Sequence, residues 1–299
     1  MTFCRKRNMT FVKTFICAAA LALGTTGAAI ASPVLNNWVF NPTGGGFAGG
    51  QVINEYLDIN GNAFIQLTKT GGNSFTFKET AVFNINQADS NGQLFPVNYR
   101  GGNITATFQA TGTGEFGGAF TFGGGTIRMY QNPVNNQYAG TNGYYGANLG
   151  EMIAEFDVLA GGGGLVDSNG SPTTNGQVSV FAQAAPGMLD AGYFFNKNGR
   201  DLSTESILSF AFSNANTVGS PTRRLVSEVG CQFAGFTGPG CTTGTTYRNR
   251  PGEYFFISSN GQFKLAEVNE VPEPGSFALF GIALLAAGAA ARKRKALRK

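Results

Sequence analysis

The chain has no histidine and one tryptophan among its 299 residues. Without histidine, neither a Ser-His-Asp or Cys-His triad nor a histidine-ligated metal centre can be assembled. Cysteine is scarce. Of the four, Cys4 and Cys17 lie in the first 31 residues, which leaves Cys231 and Cys241 for the body. Charged residues make up 13%, against about 25% in an average soluble domain. No Gly-x-x-x-x-Gly-Lys-Ser/Thr occurs, and the glycine clusters separate strand-like runs instead of preceding helices, so a phosphate cradle is not expected. No stretch of the body holds a helical period for three turns.

What is abundant is glycine, with 44 residues, and phenylalanine, with 27. Short runs alternate with period two: Ser74–Lys78, Val82–Ile85, Ile104–Phe108, Ala119–Phe122 and Thr126–Tyr130. Met152–Leu159, Gln177–Ala182, Ile207–Phe212, Glu253–Ser258 and Gln262–Val268 are further strand candidates, filled with the Phe, Thr and Val that sheets prefer. Asn-Gly recurs at 60, 91, 142, 169, 175, 198 and 260, and this dipeptide supplies the positive φ of tight hairpins. Asn260-Gly261 between two alternating runs reads as the clearest hairpin. Ser203–Leu208 has room for one short helical turn. Gly161–Gln177 reads as a polar glycine-rich loop. The expected fold is an all-β antiparallel two-sheet sandwich or jelly roll, with helices only at the two termini.

Those termini are targeting segments. Met1–Ala31 has a cationic start (Arg5, Lys6, Arg7, Lys13), an apolar stretch Phe15–Leu23 and the small-x-small site Ala29-Ile30-Ala31, the pattern of a signal peptide cut between Ala31 and Ser32. Met9–Ala31 would suffice as a signal by itself. Cys17 does not suit lipoprotein processing, because Ile16 precedes it where a small residue is required. The Sec translocon and signal peptidase are the implied export partners. At the other end, Val271-Pro272-Glu273-Pro274 precedes an uncharged run, residues 275–291, and then Arg292-Lys293-Arg294-Lys295. Seventeen residues of helix span about 26 Å, close to a bilayer core of about 30 Å, and the basic cluster stays cytoplasmic. The expected plan is therefore a signal peptide (1–31), a β body (32–268) and a transmembrane sorting segment (269–299). Together the two ends hold 10 of the 21 cations. The body from 32 to 274 keeps 11 cations against all 17 acids, a net charge of −6. An acidic body argues against nucleic acid, which needs clustered Lys and Arg.

The paired cysteines of an exported chain read as a Cys231–Cys241 disulfide pinning an excursion over 213–252. The alternative, a thiolate metal site, has no histidine and no other body cysteine to complete it. Glu155 and Asp157 share one face of a strand, as the acids of retaining glycosidases can. They faintly resemble the Glu-x-Asp-x-x-Glu strand of jelly-roll glucanases, but Ala160 occupies the position of the last acid. Asp58–Asn62 and Asp167–Gly170 look like fragments of calcium loops, each lacking the distal bidentate Glu. No cofactor is expected from them, with calcium kept as the alternative. Trp38, Tyr144, Tyr145 and Tyr193 are candidates for stacking on sugars.

The order Val-Pro-Glu-Pro, apolar span, Arg/Lys cluster resembles the PEP-CTERM sorting signal. That resemblance implies a Gram-negative exopolysaccharide producer, and an exosortase that recognises the motif and removes the tail. It also implies transient anchoring in the inner membrane before passage to the surface or matrix. In the body, Asn37–Gly44, Tyr56–Ile65, Phe75–Glu79 and Gly123–Tyr130 resemble the flocculation-associated PEP-CTERM proteins. This implies a non-enzymatic role in holding cells and extracellular polysaccharide together as flocs. A polysaccharide-processing enzyme using Glu155 and Asp157, or a carbohydrate-binding module without an adhesive role, are the competing expectations.

Overall fold

The computed structural model describes residues 34–134, 137–140, 143–173 and 175–268. The expected signal peptide with its Ala31–Ser32 site, and the sorting segment with Val271–Pro274 and Arg292–Lys295, lie outside the described residues. Among the described residues, no helix is long and apolar enough to cross a membrane.

The body is antiparallel β, but it does not split into two facing sheets. β1 (Trp38–Phe40) and β2 (Gln51–Ile53) are short. β3 (Tyr56–Gly71), β4 (Ser74–Ser90), β5 (Gln93–Pro96), β6 (Asn103–Glu115), β7 (Ala119–Asn132), β8 (Glu151–Val158), β9 (Gly161–Leu165) and β10 (Gly176–Ala184) follow. After β11 (Phe194–Phe195) come β12 (Ile207–Thr217) and β13 (Tyr254–Glu267). Each of β3, β4, β6 and β7 pairs with the next, β8 and β9 lie in line along β7, and β10 pairs with both. β10 then pairs with β12, β12 with β13, and β13 with β3. The meander closes on itself, so the expected sandwich is a barrel. Closure leaves no free edge in the ring.

Alternation explains why this ring is stable. One phase turns Leu57, Ile59, Ala63 and Ile65 of β3, Phe75 and Phe77 of β4, Ala106 and Phe108 of β6, and Ile257 and Phe263 of β13 into a single core. The other phase of the same strands exposes Thr76, Lys78, Gln109, Thr111 and Thr113. An apolar interior with a polar exterior is the arrangement of a barrel in water. A barrel in lipid shows the reverse.

Aromatic side chains plug both ends. At one end, Phe75 packs on Phe116 at 4.8 Å, and Phe77 meets Phe120 and Phe122 at 5.5 Å each. At the other, the three-stranded sheet β11-β1-β2 brings Trp38, Phe40, Ile53 and Phe194, all fully buried, onto the barrel core.

Several local expectations change. Asn60-Gly61 and Asn260-Gly261 are not turns. They lie mid-strand in β3 and β13, with Asn60 opposite Asn260. Glu253–Ser258 and Gln262–Val268 are therefore one strand, not a hairpin. A Cβ on Gly61 would sit 2.0 Å from the Val82 carbonyl oxygen, and one on Gly261 2.1 Å from that of Phe212. These glycines allow close approach of neighbouring backbones, which in a strand is the second use of the residue. Asn91-Gly92 is a true hairpin turn, with φ of +53° and +80°. Part of the supposed Gly161–Gln177 loop is β9. The helical turn near 203 is a 3-10 turn, Leu202–Thr204, capped by Asp201, whose Oδ1 accepts from the Ser203 N–H at 2.9 Å.

The excursion after β12 is better ordered than its pattern suggests. Thr222 caps a helical segment, Arg223–Leu225 running into a π-helix over Val226–Phe233. Leu225, Val226 and Val229 pack on the outward-facing Phe64, Val82, Tyr254 and Phe256. The Cys231–Cys241 disulfide, Cα–Cα 5.4 Å, closes the segment. Replacing both cysteines with serine is expected to cost about 2–3 kcal/mol in a urea melt. Thiol titration of the native, unreduced protein should find no reactive thiol from this pair; two would overturn the pairing.

Candidate functional site

The acids of β8 come first. Alternation turns Phe156 into the core and Glu155 and Asp157 outward. Glu155 stands opposite Arg128 in the β7–β8 register and forms an ion pair with it. Its backbone N–H donates to the Met188 carbonyl at 2.8 Å. Asp157 is exposed, opposite Thr126 and Gln183. Neither lines the groove beside β2 or the cavity inside the barrel, and the position of the missing third acid remains Ala160. One acid is engaged by a guanidinium and the other is open to water, so the geometry supplies neither a sheltered acid nor a placed nucleophile.

The other candidates disperse as well. Trp38 is fully buried; its Nε1 donates to the Glu55 carbonyl at 3.2 Å and its ring stacks near Phe194. Tyr193 is buried. One face of Tyr144 is covered by Phe233, with ring centroids 4.1 Å apart and planes 9° apart, and Tyr145 meets Tyr138 edge-on. A sugar would have to displace packing at each. Asp58 lies in β3 and not in a loop. Asp167 Oδ1 accepts from the backbone N–H groups of Asn169 and Ser171 at 2.8 and 3.0 Å, which is turn chemistry. Among the described residues no three His, Cys, Asp or Glu side chains gather.

Two features escape sequence reasoning. The first is a row of side-chain amides across the outer wall. Asn214, Asn260, Asn60 and Asn84 stand opposite one another in turn across β12, β13, β3 and β4. Asparagine is depleted in strands, so a row of four is set by something other than strand propensity. Asn214 and Asn260 are exposed and offer donors and acceptors to a polar partner one strand separation, about 4.8 Å, apart. Asn60 Nδ2 instead donates to Asn86 Oδ1 at 3.4 Å, and the Asn84 Oδ1 is buried. The register that assembles the row is non-local, so no sequence signal shows it.

The second is Glu79. It lines a cavity of about 60 Å³ inside the barrel, among Ile59, Phe108, Ile127 and Ile257, with Ser213 and Ser259 on the far strands. No other ionisable residue lines that cavity. Glu79 is buried in the wall of this space. Burial pushes its carboxyl up to about 7, because the charged form loses its hydration. The sequence did hold a signal: Phe75, Phe77, Glu79 and Ala81 are in one alternating phase, and the inward phase of β4 continues through an acid.

Residues 270–295 match the family model described as the PEP-CTERM protein-sorting motif. No curated protein and no solved structure matches the chain. The matched span includes Val271–Pro274 and Arg292–Lys295. A chain bearing this motif is an exosortase-targeted surface protein, exported and sorted to the cell surface of a Gram-negative bacterium, with exosortase as its processing partner.

Proposed function

We propose that this protein is a non-enzymatic component of the cell surface or extracellular matrix that promotes flocculation together with exopolysaccharide. The observation that carries the reading is the sorting motif at 270–295 joined to a barrel whose outer wall is amide- and hydroxyl-rich and whose body is acidic. Such a wall suits a hydrated polyhydroxyl partner, to which it can offer many weak hydrogen bonds at once. The ion pair between Arg128 and Glu155 disfavours the glycosidase alternative. In this proposal the Sec pathway and signal peptidase act first, between Ala31 and Ser32. The apolar span then holds the chain in the inner membrane until exosortase cuts near Pro272-Glu273-Pro274.

Deleting the gene is expected to leave cells dispersed while polysaccharide is still secreted. Complementation with a chain ending at residue 269 should export the body without restoring flocs. Normal flocs in the deletion strain would sink the proposal. Full rescue by the tail-less chain would show that sorting is not required for the role.

A further inference from the structure

β2 and the β4–β5 hairpin border an open groove of about 600 Å³, within the range of about 300–1,000 Å³ usual for ligand sites. Its frame is held before any ligand arrives. Gln51 bridges the two walls, its Nε2 donating to the Pro96 carbonyl at 3.2 Å and its Oε1 accepting from the Asn98 N–H at 2.6 Å. Asp89 fixes the hairpin, accepting from the Gly92 N–H at 2.8 Å and from Asn54 Nδ2 at 3.0 Å. The Tyr99 hydroxyl accepts from Gln131 Nε2 at 2.7 Å. A preformed groove spares a ligand the cost of ordering its walls.

Its free groups are of three kinds. Phe95 is 46% exposed. It makes no ring contact among the described residues, whereas 12 of the 22 phenylalanines among the described residues are buried. Arg100 is exposed, joins no ion pair among the described residues, and is the only charged side chain lining the groove. Ser90 and Asn98 add a hydroxyl and an amide. An aromatic face suits the apolar C–H face of a pyranose ring. Amide and hydroxyl groups suit its hydroxyls. A planar guanidinium suits a carboxylate, which it can hold by two parallel hydrogen bonds.

We propose that this groove binds an acidic polysaccharide, with Phe95 under a sugar ring and Arg100 paired with a uronate carboxylate. This rests on the matrix reading above and names its ligand class. Charge argues for this occupant. Arg100 is the one charged side chain in the lining, so at short range the groove itself selects an anionic group. The body as a whole is acidic, but salt screens that repulsion beyond about 10 Å. The exposed apolar side chains of the lining, chiefly Phe95 and Val52, are also too few for the apolar centre of a protein interface.

The test is calorimetry on the protein purified from the producing cells. The probes are oligogalacturonate and a neutral cello-oligosaccharide of equal length. Oligogalacturonate is expected to bind about tenfold or more tightly than the neutral chain, and Arg100→Gln to erase that difference. Phe95→Ala is expected to weaken both by about fivefold or more. Both side chains are exposed, so both variants should melt like the parent. Failure of oligogalacturonate to bind, or unchanged binding in both variants, would overturn the assignment. So would a dimer that Phe95→Ala dissolves, which would give the groove to a second copy. Normal flocs in the deletion strain would remove the matrix reading but leave a calorimetric result intact. Full flocculation by the double variant in a strain that needs the protein would remove the groove and leave the matrix reading.

Discussion

Replacing Glu79 with glutamine is expected to stabilise the protein by about 3 kcal/mol at pH 8 and to change little at pH 4.5. The carboxyl titrates at an ordinary value of 4.5 when exposed and is raised to about 7 in the folded barrel. The folded state therefore binds more protons than the unfolded chain between these values. Stability linked to Glu79 is complete below pH 4.5, falls as pH rises towards 7, and levels off above it. A gap of roughly 2.5 units corresponds to about 3 kcal/mol. Burial of Asp58 raises its carboxyl as well, which adds a slope of the same sign to the parent and the variant alike. The difference between the two proteins isolates Glu79. Urea melts at pH 4.5, 6 and 8 read it directly. A parent-to-variant difference that does not change with pH would mean that Glu79 is hydrated and not enclosed by the barrel.

The second large effect concerns two glycines. Gly61→Ala and Gly261→Ala are each expected to cost about 3 kcal/mol or more, or to prevent folding, because the added Cβ meets backbone oxygen and not a movable side chain. Gly219→Ala, where an added Cβ has nothing within 4 Å, is the control and should be nearly neutral. Asparagine at 261 separates the two readings of this position. In a hairpin turn it would be tolerated, since asparagine accepts a left-handed backbone. In a strand pressed against β12 it should be no better than alanine. A well-folded Gly261→Asn variant would restore the hairpin and undo the closure between β12, β13 and β3.

These two positions also show where sequence reasoning stopped. Alternation marked β4, β6, β7, β8, β10, β12 and β13 run by run, but it marked no run in β3 and divided β4 after Lys78, β7 after Phe122 and β13 at Asn260. In β4 the break came from an acid in the inward phase, which looks like an end to a hydrophobic pattern. In β13 it came from Asn-Gly, which has the same composition whether glycine serves positive φ or close approach. The two uses are told apart by what lies opposite, and for Gly261 that is Ser213 with the Phe212 carbonyl beside it, on a strand separated by the whole excursion. The disulfide within that excursion was legible, because only two body cysteines were left to pair. Its helical segment was not, since its apolar face is defined by the barrel wall it covers.

The sequence by itself determined the address, the sign of the body's charge and the β class. A sorting motif is read as a linear string, charge is a count, and alternation is a local property of a pleated backbone. Tertiary structure alone decided that the sheet closes into a barrel, that Glu79 is enclosed, that Glu155 is neutralised by Arg128, and that Phe95 and Arg100 share a groove. The first three depend on register between strands distant in the chain, and the groove depends on Gln51 of β2 reaching Pro96 and Asn98 across it. Register is settled by the summed fit of many side chains, so no short stretch of the sequence contains it.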